Sequence, residues 1–170
     1  DRFGFSVAID GDTVAVGALF ANVGANSEQG AVYLFARNQG GSNAWGEVKK
    51  LGASDGVASD FFGSSVALNG DLLVVGGWGA GEGSDDEQGA AYLFGRNQGG
   101  TDNWGEIKKL NASDANANDK FGYAVSASSD SVAIGAWGAD IALNKEQGAV
   151  YLFARNQGGL NNWGELKKLT

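Results

Sequence analysis

Apolar and polar residues alternate in short runs along this chain, broken by clusters of Gly, Asn, Asp and Ser, and no stretch of any length carries helical spacing. The runs recur as a set of four, A to D. Strand A is predicted over 3–9 and strand B over 13–18. Strand C is "GAVYLFAR" at 30–37, and strand D is "WGEVKKL" at 45–51. "DGD" at 10–12 and "NGD" at 69–71 predict tight A–B hairpins through Asp-Gly and Asn-Gly; the third copy offers Ser128-Ser129 instead, a weaker turn signal. Strand C is apolar on both faces, with Val32 and Leu34 opposite Tyr33 and Phe35. Its sheet must therefore lie between similar sheets. Strand B carries small residues, Ala15 and Gly17, suited to a crowded place near an axis. Strand D carries Lys49 and Lys50, suited to an exposed edge.

The set is written three times with a period of 59 residues and no insertion or deletion. Phe3, Phe62 and Phe121 align, as do Tyr33, Tyr92 and Tyr151, and Trp45, Trp104 and Trp163. Of the 52 positions that all copies cover, 25 are identical in all three, so each copy must share one local structure. The predicted fold is all-β: a β-propeller built of four-stranded antiparallel blades, three in this chain, at 1–59, 60–118 and 119–170.

Composition removes several function classes. The net charge is −8 and the lysines fall mostly as separated pairs, so no basic stripe exists to follow nucleic acid. No apolar run has the length of a membrane span, and no secretion signal opens the chain. Without Met at its start and opening inside a repeat, the chain reads as a piece of a longer protein. With neither His nor Cys, it can build no His-based triad, thiolate nucleophile or His/Cys zinc site, and no enzyme is predicted.

The repeated "FG" at Phe3-Gly4, Phe62-Gly63 and Phe121-Gly122, each with Asp two positions before the Phe, and "GAL" at 17–19, "GGW" at 76–78 and "GAW" at 135–137, resemble the FG-GAP repeat family, found in the integrin alpha-subunit head and in bacterial surface proteins. The resemblance spans the chain. It implies a propeller, an extracellular or cell-surface location, and ligand binding on the face of the B–C loops. The Pro of the family motif is replaced by Leu19, Trp78 and Trp137. The family also suggests calcium between strands A and B, but that connection is too short here to wrap an ion.

Variation between copies sorts by face. The C–D loop keeps "RNQGG", whereas the B–C loop reads "LFANVGANS", "WGAGEGSDD" and "WGADIALNK". The B–C face is thus the predicted recognition face, with Phe20, Trp78, Trp137, Asp85, Asp86 and Asp140 as ligand-binding candidates for a protein or glycan. The two Trp residues have a structural alternative, packing between blades where the Pro is missing. Asp85, Asp86 and Glu87 form an acidic cluster that solvation alone would also explain. "DANAND" at 114–119 places Asp114, Asn116 and Asn118 at alternate positions with Asp119 beside them, a possible calcium site or a capped polar turn. The recurrent Arg37, Arg96 and Arg155 are expected to bridge to a carboxylate of the neighbouring blade, with Asp1, Asp60 and Asp119 or Glu28, Glu87 and Glu146 as partners. One sequon, Asn111-Ala112-Ser113, occurs in a single copy. Three blades leave two open sheet faces, expected to expose Val32 and Leu34 or their third-copy counterparts. A homodimeric six-bladed ring, or the remainder of a longer propeller, would cover them.

Overall fold

The computed structural model describes residues 1–81 and 87–170. It contains three four-stranded antiparallel sheets and, among the described residues, no helix. The first blade is β1 (Ser6–Asp10), β2 (Thr13–Ala18), β3 (Ala31–Arg37) and β4 (Trp45–Leu51); the second is β5 (Ser65–Asn69), β6 (Leu72–Gly77), β7 (Ala90–Gly95) and β8 (Gly105–Leu110); the third is β9 (Phe121–Ala127), β10 (Ser131–Ala136), β11 (Ala149–Ala154) and β12 (Gly164–Leu169). Within each sheet the spatial order is the chain order, A-B-C-D. The arrangement is propeller-like and not closed.

The A–B connections are two-residue turns. Asp10 pairs with Thr13, and Gly11 takes φ 54°, so the central pair is Gly-Asp rather than the predicted Asp-Gly. Strand A begins later than predicted in the first two blades, at Ser6 and Ser65, leaving Phe3 and Phe62 ahead of it. The C–D pairing carries a bulge in every blade, at Leu34/Phe35, Leu93/Phe94 and Leu152/Phe153.

The core consists of two inter-blade layers. Between the first and second blades lie Val32, Leu34 and Leu51 against Phe62, Tyr92, Phe94 and Trp104; between the second and third lie Ala91, Leu93 and Leu110 against Phe121, Tyr151, Phe153 and Trp163. The strand C that is buried on both faces is therefore β7 of the central blade, and β6 beside it is buried on both faces as well. The expectation for the open faces is corrected in part. Val32 and Leu34 are fully buried, and the first blade is open on its Phe3, Tyr33 and Phe35 side; the third is open on its Val150 side, as their counterparts predicted. The same chemistry thus has two environments. Phe62 and Phe121 are 0% exposed whereas Phe3 is 57% exposed, and Leu51 and Leu110 are 4% and 2% exposed against 45% for Leu169.

Two further expectations shift. Strand A rather than strand B is the inner edge, since β1 meets β5 and β5 meets β9. Gly17 is crowded because a Cβ there would stand 2.0 Å from the Gly63 carbonyl oxygen of the next blade. Lys49 and Lys108 of strand D are inter-blade ties instead of edge guards. Lys49 Nζ donates to the Asn103 carbonyl and side chain, and Lys108 Nζ donates to the Trp163 carbonyl at 2.7 Å.

The fourteen-residue phrase at 28–41 now has three structural duties. Phe61 and Phe62 of the next blade donate their backbone N–H groups to the Glu28 and Gln29 carbonyls, and Gly30, at φ 86°, bridges to Phe62. "AVYLFA" is the core strand. "RNQGG" folds back on its own blade: Arg37 pairs with Asp12 at 3.0 Å, Arg96 with Asp71 at 2.8 Å and Arg155 with Asp130 at 3.0 Å. The expected bridge to a neighbouring blade is thereby corrected. The partner is the Asp of the same blade's A–B turn, which the two-residue turn brings beside the C–D loop. The contact at Arg96 and Arg155 is an ion pair rather than a hydrogen bond, because their Nε atoms lack an aligned acceptor. Each guanidinium also lies over a Trp ring of its blade, 5.0–5.2 Å from the centroid.

Candidate functional site

The B–C loops and the D–A linkers share one end of the blades. There the backbone of each copy makes a repeated strained turn just before Phe-Gly, with Arg2, Phe61 and Lys120 at φ 51°, 55° and 56°. Left-handed backbone at residues with a Cβ costs about 1–3 kcal/mol and is held only where the surroundings fix it. Here the fixing contacts include those hydrogen bonds from Phe61 and Lys120 to the Glu28 and Glu87 carbonyls.

These three side chains interleave with the residues that follow strand B. The Arg2 guanidinium lies 4.5 Å from the Phe20 ring centroid. Phe20 meets Phe61 edge-on at 5.5 Å, and Phe61 stacks on Trp78 at 4.3 Å with an interplanar angle of 27°. Lys120 Nζ then stands 5.3 Å from the Trp78 ring and 5.0 Å from that of Trp137, which meets Tyr123 edge-on at 5.9 Å. The result is one unbroken row of rings and cations across three blades. Beside it a cavity of about 360 Å³ is lined by Phe5, Ser64 and Tyr123, the same repeat position in the three blades, together with Arg2, Phe20 and Trp78. Trp78 is half-buried, its ring in contact with Phe61 and Lys120, while Trp137 is 45% exposed.

Of the sequence candidates, Phe20, Trp78 and Trp137 come together in this row. Asp140 does not join them. It ties its own B–C loop, accepting from the Glu146 backbone N–H at 2.9 Å and pairing with Lys145, whose hydrogen bond holds the Asp140 carboxyl below the usual range. Asp85 and Asp86 lie outside the described residues. Arg2, Phe61, Lys120 and Tyr123 were missed by sequence reasoning. They adjoin the invariant Phe-Gly, yet they differ from copy to copy, which is the signal that singled out the B–C loops.

The "DANAND" residues sit in the linker between the second and third blades and are engaged in protein contacts. Asp114 accepts from the Tyr151 hydroxyl and from Lys168 Nζ, both at 2.7 Å, and Asp119 accepts from the Asn116 N–H at 2.9 Å. The Asn116 side chain donates to the Asp114 carbonyl, and Asn118 takes φ 67°. Lys168, first, and Tyr151 hold the Asp114 carboxyl low against the effect of burial, whereas burial pushes the Asp119 carboxyl up. Asp55 makes the same latch to Tyr92 and Lys109 one repeat earlier. Among the described residues no group of three or more carboxylates is placed to hold a metal ion. The A–B turns do not fit the calcium that the resemblance implies either: the Asp10 carboxylate accepts from the Gly70 N–H of the next blade, and Asp12 is paired with Arg37.

Three four-stranded sheets in series, joined face to face, define a propeller-type repeat protein. The FG-GAP repeat profile matches residues 1–35, 45–94 and 104–153, and the chain belongs to that family. A search of curated proteins returned no match. No helix among the described residues is long and apolar enough to cross a membrane.

Proposed function

We propose that this chain is a non-enzymatic repeat module, extracellular or at a cell surface, that binds a protein or glycan ligand through its B–C face. The observation that carries this reading is the continuous row from Arg2 to Tyr123, built from positions that change between copies on a scaffold that does not. Large aromatics supply contact area at low entropic cost, and Arg2 and Lys120, the latter paired with Glu87 at 3.2 Å, interleave with them. The cavity beside the row supplies concavity. Glycan and protein arrays probed with the labelled chain test the reading, with Trp137→Ala and Trp78→Ala as controls. A hit that both variants bind as well as the original chain would place recognition elsewhere. A second reading, self-association that completes a propeller from several chains, is favoured by the two open sheet faces, where Phe3 and Leu169 are exposed while their counterparts are buried.

A further inference from the structure

The two open faces are the two halves of a contact that the molecule already makes twice. At each internal seam the Phe-Gly backbone of one blade lies against two glycines of the blade before it, with the Phe ring fully buried beside that contact. A Cβ on Gly30 or Gly89 would stand 2.1 or 2.0 Å from the carbonyl oxygen of Phe62 or Phe121, and one on Gly17 or Gly76 would stand 2.0 or 1.9 Å from that of Gly63 or Gly122. The third blade keeps both glycines, Gly148 and Gly135, with no blade against them: the nearest atom to a Cβ on Gly135 is the Ala124 Cβ at an ordinary 3.5 Å. A cavity of about 490 Å³ lies there, lined by Gly135, Gly148, Val150, Tyr123, Trp137 and Leu169.

The opposite face of the chain carries the matching part, already set. Phe3 sits 5.5 Å from Tyr33 and 6.1 Å from Phe35, nearly the geometry that Phe62 makes with Tyr92 and Phe94, 5.3 and 6.0 Å. Trp45, on the same face, is 40% exposed while Trp104 and Trp163 are 2% exposed.

We infer that the occupant of the Gly135–Gly148 slot is the Phe3-Gly4 turn of a second copy of this chain, docked head to tail. The inference rests on the self-association reading and gives it a register. It also completes the B–C row: Lys120 touches Trp78 of the blade before it, so Arg2 of the second copy comes to the exposed Trp137. The new seam lacks two internal ties. Ala124 stands where Ser6 and Ser65 donate to the Gly63 and Gly122 carbonyls, and Ala44 stands where Asn103 and Asn162 accept from Lys49 and Lys108. The assembly is therefore weaker than an internal seam and dissociates on dilution.

The test is light scattering on a size-exclusion column over a range of concentrations, with the original chain, Gly135→Ala and Phe3→Ala. The expected result is a concentrated species of at least twice the 17.4 kDa chain mass. Gly135→Ala, which meets no clash within one chain, is expected to raise the dissociation constant by about 100-fold or more while leaving the circular dichroism and melting of the dilute monomer unchanged. Phe3→Ala weakens association from the other side. An assembly indifferent to both substitutions would overturn the seam while sparing self-association; a monomer at every concentration would overturn both.

Discussion

Phe3, Phe62 and Phe121 occupy one repeat position in three environments, so truncating each to Ala separates burial from sequence context. Phe62 and Phe121 are fully buried, each edge-on to a Tyr and a Phe of its own blade and pressed against the blade before it. Removing such a ring forfeits its transfer free energy and leaves a cavity among the side chains that packed on it, and Phe→Ala at buried sites costs about 3–5 kcal/mol. Phe3 keeps more than half of its surface in water, and its truncation costs about 1 kcal/mol. For a chain of this length each kcal/mol moves the melting temperature by about 2–4 °C, so Phe62→Ala and Phe121→Ala should melt roughly 6–20 °C lower and Phe3→Ala only about 2–4 °C lower. Urea unfolding followed by far-ultraviolet circular dichroism, in solution dilute enough that light scattering reports single chains, gives all three values. Equal losses at Phe3 and Phe62 would refute the open first face. A loss below about 1 kcal/mol at Phe62 would refute the inter-blade core.

Tyr92→Ala is expected to cost about 3–5 kcal/mol by the same assay, since its ring is buried in the strand covered on both faces. Gly76→Ala places a Cβ 1.9 Å from the Gly122 carbonyl oxygen and should prevent the second and third blades from packing, seen as loss of cooperative melting. The Asp114 carboxyl is held below 3.8, so its latch contributes stability above that pH and loses it as pH falls through the lowered value; Asp119, pushed up by burial, has the opposite sign. Asp114→Asn should therefore flatten the acid limb of a pH–stability curve. Burial, with the Asp114 contact, pushes the Tyr151 hydroxyl up to about 12, so its contribution is present below pH 10 and lost between pH 10 and about 12; Tyr151→Phe should remove that alkaline step. Chelating calcium should leave the melting temperature unchanged, and a large fall reversed by added calcium would contradict the fit of the Asp10 and Asp12 side chains to protein partners.

The period and the four strands of a blade were legible because alternation and turn residues are local, and three copies repeat the message without a gap; that strand A and not strand B forms the inner edge was not. The partner of Arg37 was not. It depends on which loop a two-residue turn brings to the C–D loop, and Asp12 is near only once that hairpin is folded. The open faces were half legible: two-sided apolarity in strand C showed that both faces need cover, but not which face of the first blade meets the second. Half of the aromatic row was found through Phe20, Trp78 and Trp137. Its other half lay hidden beside the most constant motif in the chain, where Arg2, Phe61 and Lys120 share a backbone conformation but alternate between cation and aromatic ring.

The Asp55 and Asp114 latches have a consequence for synthesis. Each carboxylate lies in the linker that ends one blade, while the Tyr and Lys that secure it arrive 37 and 54 residues later. At about 5–20 residues per second of translation, a finished blade waits roughly 3–10 s before its latch closes. The newest blade on the ribosome is thus always the least secured, and every repeat is fastened by its successor. Inserting or deleting one whole 59-residue unit leaves all latches in register, so a lineage of such genes can grow or shrink by complete repeats without breaking one.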